Sequence, residues 1–292
     1  SEVHMLMENI LRDVIQRTKN AFMGGSANKF HFETKNIDKL GHQGDPISFK
    51  LQHLISSQSN KLSKTRFNDI RDSRLPQLYQ YINEIKFKMN LVGNCSEHCT
   101  YAFHYLMKWH SFAIFNLYKA IDPDPEKNIY IVIYETTLPK DHSFITISHL
   151  KSDVFLAIKK GLFSHILPDS WICDPWTEIA CKGKDYPLQW KRKMKQWESE
   201  SLFVATESSK NYSNAVTNKY DGFFSPTRPE VYNMISPYDK FKPAYIAFID
   251  GKGNINTLNK LRNDLHKVPY DISEIEKKEL LDMGFPDIDE IR

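Results

Sequence analysis

Apolar positions at the start of the chain recur at a helical spacing. Ile10, Leu11, Val14 and Ile15 share one face of a helix predicted over Glu8–Ala21, which Met23-Gly24-Gly25-Ser26 ends. Ser1–His4 read as a foreign tag ahead of a start at Met5. Residues 26–46 are polar, with turn signals at Gly41 and Gly44-Asp45-Pro46. A second helix is expected around Ser48–Ser57 on Phe49, Leu51, Leu54 and Ile55. After a charged, serine-rich connection, a third is expected over Leu75–Lys88 on Leu78, Tyr79, Ile82 and Ile85.

The texture then changes. Leu91-Val92-Gly93-Asn94 is a short loop, and a helical pattern runs from Cys95 to about Ala120, closed by Asp122-Pro123-Asp124-Pro125. Two β-branched and aromatic runs, Ile129–Thr136 and Ser143–Ile147, predict strands. Lys151–Phe163 reads as an inserted helix, and Ser170–Trp176 as a strand that Pro175 terminates. Beyond it come a basic helix over Leu188–Ser201, a polar loop over Thr206–Pro229 and a strand over Ala244–Ile249. A turn at Asp250-Gly251-Lys252-Gly253 and two short helices, Leu258–His266 and Ser273–Asp282, complete the pattern. The order predicts an α+β fold in which a helix opening at Cys95 packs on a small antiparallel sheet. Residues 5–74 form an N-terminal helical region, 75–185 the core, and 186–292 a mixed extension.

Charge narrows the function. The net charge of +3, left by 39 basic against 36 acidic residues, gives no positive field suited to nucleic acid. No run approaches the roughly 18 apolar residues of a membrane span. The N-terminus lacks the charged-then-apolar pattern of a signal peptide. Four cysteines, Cys95, Cys99, Cys173 and Cys181, are too few for a disulfide framework in a chain of this length and read as free thiols. No cofactor motif is visible: Asp250-Gly-Lys-Gly253 lacks the length and the Lys-Ser/Thr of a phosphate loop.

Three residues then stand out together. Cys95 follows Gly93-Asn94 and opens a helix, where the dipole and unpaired N–H groups favour thiolate and can hold an oxyanion. Gly93 lets a substrate approach the backbone. His142, in Lys140-Asp141-His142-Ser143-Phe144, stands where a loop enters a strand and can be aimed at a thiol. Asp174, in Trp171-Ile172-Cys173-Asp174-Pro175-Trp176, ends another strand and can orient the imidazole. Taken singly each has a bland reading: a small buried thiol, a capped histidine and an Asp-Pro turn. Their order and placement favour a catalytic set.

Other constellations are weaker. Cys95, His98, Cys99 and His142 could bind zinc, but a second closely spaced ligand pair is missing. His98, His104, His110, His149 and His165 read as solvated or capped. The run Trp190–Lys195 reads as a solvated helix face. Met283-Gly284-Phe285 lies too near the last residue for a complete ubiquitin-associated module.

Gly-Asn-Cys at a helix start, Asp-His-Ser-Phe entering a strand and a strand ending in Cys-Asp-Pro-Trp together resemble the papain-like and transglutaminase-like superfamily, over roughly residues 75–180. The pattern is similar to secreted bacterial effectors that act as cysteine peptidases, glutamine deamidases or transglutaminases. The resemblance implies a papain-like core in which Cys95 attacks an amide to form a thioester, His142 moves the proton and Asp174 orients it. It also implies delivery into a host cytosol by a dedicated secretion machine. The partner would be a host protein presenting a glutamine side chain, with a lysine-bearing co-substrate where the acceptor is an amine. Papain-type peptidases carry Trp after the nucleophile and Gln six positions before it. Here those positions hold Ser96 and Met89. Asn90 is then the nearest side-chain amide able to hold the oxyanion, with Asn94, Gly93 and the Cys95 N–H beside it. The departure favours glutamine-directed transfer over proteolysis; a non-catalytic host-binding module is the alternative of another class.

Overall fold

The computed structural model describes residues 2–22, 26, 29–31, 94–137, 140–158, 161–162, 169–205, 223–258 and 265–267. Helix α1 (Glu2–Ala21) begins six residues before its expected start, and Met7 and Leu11 are both buried. The expected tag is thus helical from Glu2, and the His4 ring packs 4.6 Å from that of Trp171. After β1 (Lys29–His31) the next described elements are α2 (Cys95–Ile121), β2 (Lys127–Thr136) and β3 (Ser143–Lys151). The helices expected over 48–57, 75–88 and 273–282 lie outside the described residues.

Helix α3 (Ser152–Ile158) covers the first part of the expected insertion, but Gly161–Leu162 is a short strand, β4. β5 (Trp171–Asp174) and β6 (Ile179–Lys182) form a hairpin around the Asp-Pro turn. A single 3-10 turn (Gly183–Asp185) leads into α4 (Tyr186–Ser199), whose Pro187 suits a helix start. Then come β7 (Leu202–Ala205), β8 (Phe223–Phe224), the short α5 (Pro229–Tyr232), β9 (Lys240–Ile249), β10 (Ile255–Leu258) and β11 (Leu265–Lys267). The helix expected over 258–266 is corrected: Leu258 closes β10 and Leu265 opens β11, the two pairing antiparallel. Apolar residues at both ends of that segment suit either period, and pairing with β10 decides for strand.

The fold is α+β, and its sheet is larger than expected. Seven strands run in the order β11-β10-β9-β2-β3-β5-β6, with β4 attached to β9, and every described pairing is antiparallel. The strand after the expected boundary at 185 lies inside this sheet, because β9 pairs along β2 from Ile129↔Ile249 to Thr136↔Phe241. β1, β7 and β8 make a separate three-stranded sheet.

The continuous apolar run in β2 reflects burial on both faces. Ile129, Ile131 and Ile133 join a core with Ile145 and Ile147 of β3 under α1 and α2. Tyr130, Val132 and Tyr134 join a second core with Phe144, Ile172 and the α4 residues Tyr186, Trp190, Met194 and Trp197. Large side chains buried this fully contribute about 1.5–3 kcal/mol each. Most of α2 belongs to the first core, whereas Cys95 at its tip joins the second, where the functional groups gather.

Candidate functional site

Helix α2 starts where it does because of a local cap. The Asn94 N–H donates to Glu97 Oε1 at 3.4 Å, and the Asn94 carbonyl accepts from His98 N at 3.0 Å and His98 Nδ1 at 2.8 Å. This commits the Asn94 backbone to the helix end. The Cys95 N–H, at the first helical position, is one of the donors an α-helix leaves without an internal partner. Asn90 and Gly93 lie outside the described residues.

The Cys95 thiol is nearly covered and accepts a hydrogen bond from the backbone N–H of Ser143, the residue after His142. Ser96 Oγ lies 3.3 Å from Ser143 Oγ, a second tie between the start of α2 and the start of β3. The expected lowering of the thiol pKa is not what these surroundings produce. Burial pushes the Cys95 thiol well above its ordinary value, the charges of Asp141 and Glu97 push the same way, and the Ser143 N–H opposes them. A thiolate here therefore needs a base beside it.

His142 is fixed through its own backbone. Its N–H donates to Thr136 Oγ1 at 2.9 Å, and its carbonyl accepts the Thr136 N–H at 3.0 Å, pinning the strand entry to the end of β2. Its Nε2–H donates to Asp174 Oδ2 at 2.7 Å, leaving Nδ1 as the nitrogen the carboxylate does not use. Trp190 and Trp176 wall the ring at centroid distances of 4.7 and 5.4 Å.

Asp174 is fully buried, and its carboxylate accepts four hydrogen bonds. Oδ2 takes His142 Nε2–H and the Tyr186 hydroxyl, the latter at 2.6 Å, while Oδ1 takes the N–H groups of Trp176 and Thr177 at 3.2 Å each. Burial alone would raise this carboxyl. The His142 charge and hydrogen bond, with the Tyr186 hydroxyl, outweigh burial and hold it below its usual value. Tyr186 in turn is pushed well upward, by burial first and the Asp174 charge second, so it remains a phenol donor.

The two amides on Oδ1 come from the turn joining β5 to β6, and that turn is held from outside. Lys29 Nζ donates to the Trp176 carbonyl at 2.8 Å and lies 5.1 Å from the centroids of both the Trp176 and Trp197 rings. Burial pulls the Lys29 ammonium down to about 8, against the charges of Glu178 and Asp174. Glu178 ends the turn at φ 61, a left-handed conformation that costs a non-glycine residue about 1–2 kcal/mol. Its carbonyl accepts from Arg12 Nη1 at 3.0 Å, and its carboxylate meets Lys19 Nζ at 3.0 Å.

The structure thus joins His142 directly to Asp174 and brings Cys95 to the residue next to His142. Sequence reasoning missed Tyr186 and Lys29. The only local signal for Tyr186 was the Tyr-Pro helix start, which says nothing about its partner. Of the histidines expected to be solvated or capped, three are buried: His98 stacks on Phe22 at 4.2 Å, His104 is covered, and His110 Nε2 bonds Asp13 Oδ2 at 2.6 Å. His165 lies outside the described residues. Among the described residues, no group of three or more His, Cys, Asp or Glu is arranged to hold a metal ion. None of the described helices is long and apolar enough to cross a membrane. A groove of about 430 Å³ lined by Lys140, Leu188, Lys191 and Ile235 opens at the loop leading to His142.

Comparisons with protein-family models, with curated proteins and with solved structures find no match to this chain.

Proposed function

We propose that the chain is a cysteine acyl-transfer enzyme acting on glutamine side chains of a protein substrate, with a papain-like or transglutaminase-like core. The observation that carries this reading is the buried His142–Asp174 pair, with every carboxylate acceptor site filled and Cys95 tied to the residue after His142. An Asp so saturated orients and stabilises an imidazolium without taking its proton. His142 accepts the Cys95 proton, so thiolate and imidazolium form as a pair rather than as one buried charge. This is how a thiol raised by burial becomes nucleophilic.

The thiolate attacks the glutamine carboxamide carbon, and the Cys95 N–H holds the oxyanion. Collapse of the tetrahedral intermediate breaks the C–N bond. The imidazolium gives its proton to the leaving nitrogen, ammonia departs and a thioester remains on Cys95. An incoming lysine amine (transglutamination) or water (deamidation) loses a proton to His142 and displaces Cys95 as its thiol. Trp176 and Trp190 limit water around His142, which favours the amine. The role of a secreted bacterial effector acting on a host protein rests on the motif resemblance alone.

The test is incubation of wild type and Cys95→Ala with host lysate and a fluorescent primary amine. Cys95-dependent amine incorporation, or a one-mass-unit gain on glutamine, is the expected result. New protein termini would replace glutamine chemistry by peptide hydrolysis on the same triad. Identical products from both proteins would overturn the mechanism.

A further inference from the structure

Lys29, Arg12 and Lys19, all from the first 31 residues, converge on one five-residue turn, Asp174–Glu178. That turn supplies both amides to Asp174 Oδ1 and the Trp176 ring that faces His142. Lys29 grips its middle through the Trp176 carbonyl; Arg12 and Lys19 grip its end, at the left-handed Glu178. Arg12 and Lys19 are half exposed or more, whereas Lys29 is half-buried between two tryptophan rings. The Lys19–Glu178 ion pair and the Arg12 hydrogen bond to the Glu178 carbonyl both lie exposed to competing water, so the grip on the turn falls mainly to Lys29.

We propose that Lys29 is a positioning residue for the acyl-transfer site: its ammonium, bonded to the Trp176 carbonyl and seated on Trp176 and Trp197, fixes the turn that aims Asp174 at His142. Lys29 touches neither His142 nor Cys95 in any contact described above and acts through the turn. Charge with directional donors is what the position needs. The carbonyl requires a hydrogen-bond donor and the ring faces favour a cation, so methionine fills the space without the function and arginine keeps it. The inference rests on the acyl-transfer reading of Cys95, His142 and Asp174. It also gives α1 and β1 a part in the site.

Two measurements that need no substrate test it. One is the downfield proton resonance of the His142 Nε2–H bonded to Asp174. The other is the rate at which iodoacetamide alkylates Cys95, resolved from Cys99, Cys173 and Cys181 by mass spectrometry. Lys29→Met should broaden or shift the resonance and slow Cys95 by about tenfold to a hundredfold, the scale of a misplaced catalytic group. Lys29→Arg should restore both. The double variant Arg12→Met/Lys19→Met changes only half-exposed side chains, should melt close to wild type, and should show a smaller loss of the same kind. A folded Lys29→Met with an unchanged resonance and rate would overturn the proposal. So would a Lys29→Arg that melts like wild type and recovers neither. Should Lys29→Met fail to fold, the arginine and double variants decide the matter. If wild-type Cys95 reacts no faster than the other thiols, the acyl-transfer reading falls, whereas the resonance still reports whether Lys29 positions the pair.

Discussion

Replacing Asp174 by asparagine tests the site at its most constrained atom. The carboxylate receives four donors and offers none. An asparagine in its place keeps one oxygen and presents an NH2 group where the other stood. If the oxygen stays with the Trp176 and Thr177 amides, the NH2 faces His142 Nε2–H, donor against donor, and the Tyr186 hydroxyl, which can turn to accept but then loses the acceptor for its own hydrogen. The imidazole relieves the conflict by moving its hydrogen to Nδ1, the nitrogen needed as base. The buried thiol is then left to its own acidity. Its ordinary value is 9.0, and burial raises it well beyond that. At pH 7 less than about 1 in 100 such thiols is ionised, since each pH unit below the pKa is a factor of ten. Relative to a Cys95 ionised by proton transfer to His142, alkylation should therefore fall at least about a hundredfold. Turnover should fall by about 10⁴, the loss seen when a triad imidazole is held in the wrong tautomer. Stability should drop by about 1–3 kcal/mol for the unmatched donor at the Tyr186 hydroxyl. Stopped alkylation with mass-spectrometric readout gives the first figure and a thermal melt the last. An Asp174→Asn protein whose Cys95 reacts within a few-fold of wild type would refute the assignment of Asp174 as the orienting group.

Tyr186→Phe removes one of the two donors on Oδ2, so more of the carboxylate charge falls on His142. The downfield proton resonance of the His142 Nε2–H should move further downfield as that hydrogen bond strengthens, and an upfield move would contradict the shared-oxygen geometry. His98 is held down to about 3, chiefly by burial and secondarily by the Lys29 charge, against an ordinary 6.5. Between those values the unfolded chain binds a proton that the folded chain does not. Stability is thus retained above pH 6.5 and lost as pH falls, by about 2 kcal/mol at pH 5. Denaturant melts of His98→Gln should show that much less pH dependence. Gly251→Ala would put a Cβ 2.2 Å from the Pro125 carbonyl oxygen. It should cost about 1–3 kcal/mol through forced backbone movement, visible as a lower melting temperature.

Much of this was legible in the sequence. The run Ile129–Thr136 announced a strand, and Asp-Pro placed Asp174 at a strand end, because both signals are local. The pairing of His142 with Asp174 followed from two strand-borne groups, which β3 and β5 bring side by side at Ile145↔Cys173. Tyr186 and Lys29 were invisible, since each acts on a turn or carboxylate far along the chain. The acidity of Cys95 was misjudged for a related reason. A helix terminus is readable from sequence, but the desolvation that overrides it arises only when Trp176, Trp190 and Phe144 close around the thiol's core. The edge strand at Leu265–Lys267 was read as helix because its apolar spacing is ambiguous without β10 beside it.

The pairing of β2 with β9 shapes the order in which the molecule can be made. Ile129 finds Ile249 only after most of the chain has left the ribosome. Until then the strand at the centre of the sheet offers an open apolar edge, and β3 can cover only the other side. Such a non-local closure is slow and leaves the nascent chain open to wrong partners. A chain cut before Lys240 would carry Cys95, His142 and Asp174 yet remain in that unfinished, adhesive state. Inactive aggregates of such fragments would then reflect a missing strand rather than missing chemistry.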